Sequence, residues 1–470
     1  MSFGILAVGR YVPRYRLSAS VVADALGWFQ PALKAAREQS RSFAHWDEDA
    51  LTMAVEAARD GLGTVDVSDV SRIVLASTTL PFADRSNVGV VREALDIVDS
   101  ATVCESSGSM RAGSTALDDA LSAQRAGKQL VIASDCVDTQ PASADEVSHG
   151  HGAAAVVVGD GEPIATLTGR ASLHQDFVDH YRAAGERFSY VLEARWTRDA
   201  GYRDQVLGTY RLALDEAGLK DVDHLAVAAP LALQRAIVKQ VGGKNGGLGF
   251  AESVGYCGAA QALLMLVDAL SQAKRGDTIA LITIGQGVDV SVFELQADPA
   301  PIADLPVTNE DNYTRYLSMR RLLNKDEGIR AERDNRTAQS AAWRSHQAVT
   351  GFKGGRCSAC NTLQFPASEV CVRCGATGTQ SLHRLADMTG TVRSYTEDWL
   401  AYTPRPPLVF GNVGFTDGAN VMMEFTDIEA GQLAVGDEVR MQFRIKDFDD
   451  RRGFRRYFWK PTPIGERADG

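Results

Sequence analysis

The chain has 470 residues, which at roughly 100–200 residues per domain allows two to four domains, each with a sizeable core. Hydrophobic residues make up 45% and charged residues 23%, and these proportions exclude a mostly disordered or collagen-like chain. Lys and Arg total 49 against 60 Asp and Glu, a formal net charge of −11, so the surface as a whole does not attract polyanions and nucleic acid would need a local basic patch.

The first ten residues lack a basic stretch followed by an apolar run and a cleavage site, and no run of about 18 apolar residues follows anywhere. A cytoplasmic protein without membrane spans is expected. Asp49–Gly63 carries apolar residues at helical spacing (Leu51, Val55, Ala58, Leu62), followed by the strand-like run Arg72–Ser77. Gly113–Gly127 reads as a second helix leading into the strand Gln129–Ser134, and the apolar run Ala153–Gly159 closes the unit. The same order then returns. Tyr202–Gly218 reads as a helix, His224–Ala229 as a buried strand, Gly258–Gly276 as the second long helix, and Thr278–Thr283 and Val288–Leu295 as strands. Two copies of a unit of buried strands and intervening helices imply two packed α/β halves.

Gly9–Leu17, Asp47–Arg59 and Ser77–Arg85 together resemble the opening of the archaeal-type hydroxymethylglutaryl-CoA synthases, and the resemblance runs to about Leu323. These enzymes belong to the thiolase superfamily, so the resemblance implies a duplicated five-layered α/β fold, with halves at 1–170 and 171–325. It also implies a cysteine nucleophile at the start of a buried helix, with a glutamate and a histidine for acid–base work. In Gly108-Ser-Met-Arg-Ala-Gly-Ser-Thr-Ala-Leu117 the cysteine's position holds Met110, and in Ala76-Ser-Thr-Thr-Leu-Pro81 the glutamate's holds Thr78. The strand-end His-x-Pro reads Ala228-Ala-Pro230, and Val254-Gly-Tyr-Cys-Gly-Ala259 replaces a segment that begins with asparagine in the family. Other groups are therefore candidates: Cys257 at the start of the second long helix, Cys104 upstream of Met110, Tyr256 as a general acid, and His149 or His151 in Ser148-His-Gly-His-Gly152. Against each stands the ordinary reading of a loop residue or a satisfied core side chain. Asp176-Phe-Val-Asp-His-Tyr181 resembles an Asp-Phe-Trp-Arg-Arg region near the family's acyl-CoA pocket, and it reads either as pocket lining or, preferably, as a helix cap.

Asn309–Thr350 is charged and reads as helical, with 326–350 as a connector. Cys357/Cys360 and Cys371/Cys374 then form two CxxC knuckles ten residues apart, with Asn361 and Gly375 suited to the unusual backbone angles after each pair. Four thiolates complete a structural zinc site with no open position, a ribbon over 351–380. Gly390–Thr396, Asn420–Thr426 and Glu438–Ile445 alternate as strands of a small barrel over 381–470. Ribbon and oligonucleotide/oligosaccharide-binding (OB-type) barrel together resemble a domain-of-unknown-function family that accompanies thiolase-like enzymes as an acyl-CoA-associated partner. Arg440–Lys460 mixes basic and aromatic residues as a single-strand nucleic-acid surface would, but CoA phosphates and adenine suit the same groups, so nucleic acid is the less favoured ligand. The resemblances imply a protein that handles acyl-CoA, forming or cleaving a carbon–carbon bond beside a thioester as an acyltransferase or an aldolase, and a homodimer. The competing reading is a catalytically silent acyl-CoA-binding subunit or partner of an active thiolase.

Overall fold

A computed structural model of the chain describes residues 2–63, 65–243, 246–299, 301–302, 306–326 and 338–465. They fall into two compact units: Met1–His45, Asp49–Arg92 and Ile97–Tyr316 in the first, Trp46–Glu48, Glu93–Asp96 and Leu317–Gly470 in the second. Among the described residues no helix is long and apolar enough to cross a membrane.

The first unit is organised by nine strands: β1 Ser2–Tyr11, β2 Val70–Ala76, β3 Thr102–Ser106, β4 Lys128–Asp135, β5 Gly152–Gly161, β6 Ala165–His174, β7 His224–Ala228, β8 Thr278–Ile284 and β9 Gly287–Leu295. They run in the order β7-β8-β9-β6-β1-β5-β4-β2-β3. The repeat is visible in this order: β2 lies parallel to β4, which is antiparallel to β5, and β7 lies parallel to β8, which is antiparallel to β9. The halves meet where β1 pairs with β6 at Ile5–Ala165. The edge strand β3 has no counterpart among the described residues of the second half.

Helices α1 Ala50–Leu62 and α3 Arg203–Ala217 occupy equivalent places in the two halves, as do α2 Ala112–Ala123 and α4 Gln261–Gln272. The start of α1 follows from its sequence. The Asp49 carboxylate accepts from the Leu51 and Thr52 amides at 3.0 Å each, and Thr52 Oγ1 accepts from the Asp49 amide at 2.8 Å, a capping box that satisfies three otherwise orphaned donors. α1 packs on β1, β4 and β5, while α3 packs on β6 and β9. α2 and α4 touch each other; α2 also meets β2 and β4, and α4 meets β5, β7 and β8, so both sheet halves cover this central helix pair. That is the five-layered arrangement of the thiolase-like fold. The helix pair comes very close at its start, where a Cβ on Gly113 would lie 2.4 Å from the Ala259 carbonyl oxygen. The strand run Ala153–Val158 is fully buried because it has strands on both edges and helices on both faces, and each large apolar side chain so enclosed contributes about 1.5–3 kcal/mol.

In the second unit, β10 Lys353–Cys357, β11 Leu363–Gln364 and β12 Gln380–Arg384 form a small sheet in the order β11-β10-β12. The strands β13 Gly390–Asp398, β14 Leu408–Phe415, β15 Asn420–Glu424, β16 Glu438–Asp449 and β17 Phe454–Pro463 form an antiparallel sheet in the order β15-β14-β13-β16-β17. β15 and β17 are its two edges; no strand ladder joins them among the described residues, but just past β15 the Thr426 amide donates to the Pro461 carbonyl of β17 at 3.1 Å. Phe352, fully buried, stacks edge-on against Phe365 of the ribbon and against Phe415 and Phe458 of the larger sheet at 5.2, 5.9 and 5.4 Å, so one ring welds the two sheets. Within the expected connector, Gln339–Arg344 and His346–Val349 are short helices, and 327–337 lie outside the described residues.

Candidate active site and metal centre

Met110 sits in the turn just before α2 and is 7% exposed. Its thioether has no proton to lose and no nucleophilic anion to offer the helix start. The next residue, Arg111, is buried and fully engaged: Nε donates to the Gly285 carbonyl at 2.8 Å, Nη1 to Asp289 at 2.6 Å and Nη2 to His174 Nδ1 at 2.7 Å. These bonds fix the turn Gly285-Gln286-Gly287 against Met110, where a Cβ on Gly285 would lie 3.3 Å from Met110 Cβ.

Gln286 adopts φ 49°, a left-handed conformation rare for a residue with a side chain. Its amide N–H donates to the Tyr202 hydroxyl at 3.0 Å, and its side-chain Nε2 donates to Asp179 Oδ1 at 2.6 Å. Tyr202 in turn donates to Asp179 Oδ2 at 2.7 Å, and His180 Nδ1 lies 2.8 Å from Asp179 Oδ1. Burial alone would raise the Asp179 pKa, but the hydrogen bonds and charge of His180 and the Tyr202 hydroxyl hold it below the usual carboxylate range. The segment expected to cap a helix does something else. His180–Tyr181 is a short strand paired with Tyr190–Val191, and the next helix, Ala194–Trp196, is capped by Glu193.

Asp135, at the end of β4, is a fully enclosed carboxylate. It accepts from Ser77 Oγ at 2.9 Å, the Thr78 amide at 2.7 Å, Thr78 Oγ1 at 2.9 Å, Thr79 Oγ1 at 3.0 Å and the Ala259 amide at 2.7 Å. Burial raises its pKa against the pull of these donors. Gly258 makes the approach possible: at φ +55° a Cβ there would stand 2.4 Å from Asp135 Oδ2. Thr78 is thus tied to the start of α4 through Asp135, and its carbonyl accepts from Arg182, two residues beyond His180.

Tyr256 and His149 pack on each other. The Tyr256 amide donates to the Ser148 carbonyl at 2.8 Å, the Gly150 amide donates back to the Tyr256 carbonyl at 2.9 Å, and the two rings meet edge-on at 5.3 Å. Burial first, then the charges of Asp179 and Asp135, push the Tyr256 phenol far up, so it stays protonated. Burial lowers the His149 pKa, as do the nearby charges of His180 and Arg41, while Asp145 opposes them. The Tyr256 hydroxyl, His149 Nε2 and His180 Nε2 make no hydrogen bond to any described residue, and none is sealed from solvent.

The remaining sequence candidates lie elsewhere or are occupied. His151 accepts from the Ala44 amide at 2.8 Å and donates to the Val137 carbonyl at 3.0 Å, which makes it a satisfied core histidine. Cys104 is exposed on β3. Cys257 is fully buried, and burial, with the Asp135 charge adding to it, drives its thiol pKa far up in spite of Arg16. Ala228 is buried at the end of β7 opposite Thr283. Sequence reasoning missed Asp135 and Arg111; it singled out Asp176–Tyr181 as pocket lining or a helix cap without assigning the Asp179–His180 pair. The one local signal was the adjacency of an acid and an imidazole in a segment with no helical periodicity after it.

The four ribbon cysteines converge as expected. Cys357 and Cys374 sulfurs lie 3.8 Å apart, Cys360 and Cys371 sulfurs 3.6 Å, and all four within 4.8 Å of one another. A tetrahedral zinc with Zn–S bonds of about 2.3 Å needs sulfur pairs about 3.8 Å apart, so the residues fit the ion. Asn361 and Gly375 take φ 61° and 73°, the left-handed turns that let each knuckle close. The basic and aromatic stretch Arg440–Lys460 is the β16–β17 hairpin, and it is no stacking platform. Phe443 and Trp459 are fully buried and pack at 5.4 Å. Arg444, Arg452 and Lys460 are paired with Asp427, Asp449 and Glu424 at 2.9, 2.6 and 3.3 Å.

The fold and the metal centre define a thiolase-like α/β protein carrying a zinc ribbon. Residues 351–380 match the family model of the ChsH2 rubredoxin-like zinc ribbon domain. Over 316 residues the chain is 27% identical to the hydroxymethylglutaryl-CoA synthase of Caldivirga maquilingensis, covering 63% of this chain and 88% of that protein. It is 26% identical over 310 residues to that of Methanosphaera stadtmanae, covering 62% and 88%. Among solved structures, HMG-CoA synthase complexed with CoA superposes with a TM-score of 0.57 at 18% identity, covering 82% of this chain and all of that one. 3-Oxoacyl-(acyl carrier protein) synthase III from Pseudomonas aeruginosa does so with a TM-score of 0.55 at 22% identity, covering 64% and 100%.

Proposed function

We propose that the first unit binds a coenzyme A thioester and makes or breaks a carbon–carbon bond beside the thioester carbonyl without an acyl-enzyme. One observation carries this: the residue at the start of α2, where the relatives' resemblance puts a nucleophilic cysteine, is Met110, and neither candidate thiol, Cys257 or Cys104, is placed to serve. Cys257 is enclosed and held as a neutral thiol, and Cys104 lies on an edge strand. Thr78 and Ala228 occupy the positions of the glutamate and histidine, so the proposal includes loss of the whole covalent relay. Aldol addition or its reverse needs only an acid–base group and a donor to the enolate oxygen. The CoA complex of the structural neighbour supports the ligand class.

The proposal extends to organisation. Halves at 1–170 and 171–325, a connector at 326–350, the ribbon at 351–380 and a barrel at 381–470 that closes through β15 and β17 are the domains we assign. A homodimer and a cytoplasmic location are further parts of this reading. The test is to incubate the protein with acetyl-CoA and acetoacetyl-CoA and record intact mass and ligand binding. Binding without an adduct is expected. An acyl adduct that disappears in Cys257→Ser or Cys104→Ser overturns the non-covalent reading, and binding without turnover of any β-hydroxyacyl-CoA, with or without a partner thiolase, favours a silent subunit.

A further inference from the structure

We infer that His180, oriented by Asp179, is the general base of this site and that Tyr256 supplies the hydrogen bond to the enolate oxygen, an assignment that rests on the acyl-CoA reading above. The pair has the geometry of an oriented imidazole. Asp179 Oδ1 receives His180 Nδ1 at 2.8 Å, which fixes the proton on Nδ1 and leaves Nε2 as the basic nitrogen. The carboxylate is itself held by Tyr202 at 2.7 Å and Gln286 at 2.6 Å, so it cannot rotate away from the ring. Gln286 also donates to the His180 carbonyl at 3.3 Å, and Arg111 anchors the turn that presents Gln286. Four side chains thus converge to set one nitrogen, and that nitrogen has no partner among the described residues. Tyr256, whose hydroxyl also lacks one, is linked to His180 by a chain of contacts: three residues after it the Ala259 amide donates to Asp135, Asp135 holds Thr78, and the Thr78 carbonyl accepts from Arg182, two residues beyond His180.

The step balances with these groups alone. In the cleavage direction His180 Nε2 takes the proton of a β-hydroxyl. The Cα–Cβ bond breaks, the β-carbon leaves as a carbonyl, and the bonding pair delocalises onto the thioester oxygen, where the Tyr256 O–H stabilises it. The imidazolium, stabilised by Asp179, returns the proton to the α-carbon and releases the shortened acyl-CoA. In the synthetic direction the same nitrogen removes the α-proton of the acyl-CoA. No oxidant, metal or water is consumed.

The α-proton step gives a direct assay. The full-length protein is held with acetyl-CoA in D2O, deuterium entering the acetyl group is followed by mass spectrometry, and acetyl-CoA affinity is measured by equilibrium dialysis on the same samples. Exchange above the uncatalysed rate is expected, falling at least about 100-fold in His180→Gln and by about 10-fold or more in Tyr256→Phe, with affinity changed less than about 3-fold. Retained affinity shows that each variant is folded, and Cys104→Ser should exchange at the wild-type rate. Full exchange in His180→Gln overturns the assignment. Binding of acetyl-CoA by the wild type with no exchange also overturns it while leaving the acyl-CoA reading intact, whereas failure to bind either acetyl-CoA or CoA overturns both.

Discussion

The zinc ribbon and the acid–base cluster both gather polar side chains around one point, but the chain builds them in opposite ways. The ribbon draws four sulfurs from two tight turns within one short stretch, each closed by its own left-handed residue, Asn361 or Gly375. The cluster is assembled across the fold: Thr78 reaches Asp135 over 57 positions, Gln286 reaches Asp179 over 107, and the Ala259 amide reaches Asp135 over 124. A site made of local turns depends on its ligand to stay folded, whereas a site made of long-range contacts depends on the sheet and helices that carry it. Perturbing each centre should therefore fail differently.

The largest effect is expected at the ribbon. Cys371→Ser removes one of four ligands, and since structural zinc supplies on the order of 10 kcal/mol to small metal-folded modules, bound zinc should fall from one per chain to nearly none. Limited proteolysis should then cut within 351–380 while the first unit stays resistant. Elemental analysis showing no zinc in the untreated protein would sink the ribbon's metal.

A smaller loss is expected where the two halves meet under the active site. Gly258→Ala places a Cβ 2.4 Å from Asp135 Oδ2 on a backbone at φ +55°, so both strain and contact oppose it, and about 2–3 kcal/mol of stability should be lost in denaturant titration. Gly249→Ala, in the helix Leu248–Val254 with nothing within 4 Å of the added carbon, should be neutral or stabilising by up to about 1 kcal/mol. Equal effects at the two positions would mean that Asp135 is not held against the start of α4.

The same contrast explains what could be read from the sequence. α1 was legible because Asp49 and Thr52 announce its start and its apolar spacing is local; β5 was legible as an unbroken apolar run, and the ribbon as paired cysteines. β3 was not legible, since Thr102–Ser106 is a largely exposed edge strand with no buried face to impose alternation. Asp176–Tyr181 read as a cap because aspartate is a common N-cap residue, and only the distant Gln286 and Tyr202 give Asp179 another task. The aromatics of β16 and β17 read as a surface because cross-strand pairing is not written locally. Phe443 lies opposite Trp459 and Ile445 opposite Tyr457, so period-two alternation turns them inward together.

Titration should separate Asp179 from a merely structural carboxylate. Its folded pKa is lowered below 3.8, so its contribution is present above the unfolded value and is lost as pH falls through the folded one. Asp179→Asn should therefore cost about 1–2 kcal/mol at pH 6, and the gap between wild type and variant should close below about pH 3.8. A gap that stays constant on acidification would show that the charge of Asp179 is not what the site uses.

The smallest perturbation bears on the thiols of the first unit. Alkylation requires an accessible thiolate. Cys104 is exposed, while Cys257 has no exposed surface and a thiol pKa driven far up by burial and by the charge of Asp135. Iodoacetamide at pH 8 should label Cys104 in the native protein and reach Cys257 only after unfolding, and Cys104→Ser should shift stability by less than about 0.5 kcal/mol. Peptide mapping of the native sample decides the matter: early labelling at Cys257 would mean that the start of α4 opens to solvent, and the second half would then hold a usable nucleophile where the first has only a thioether.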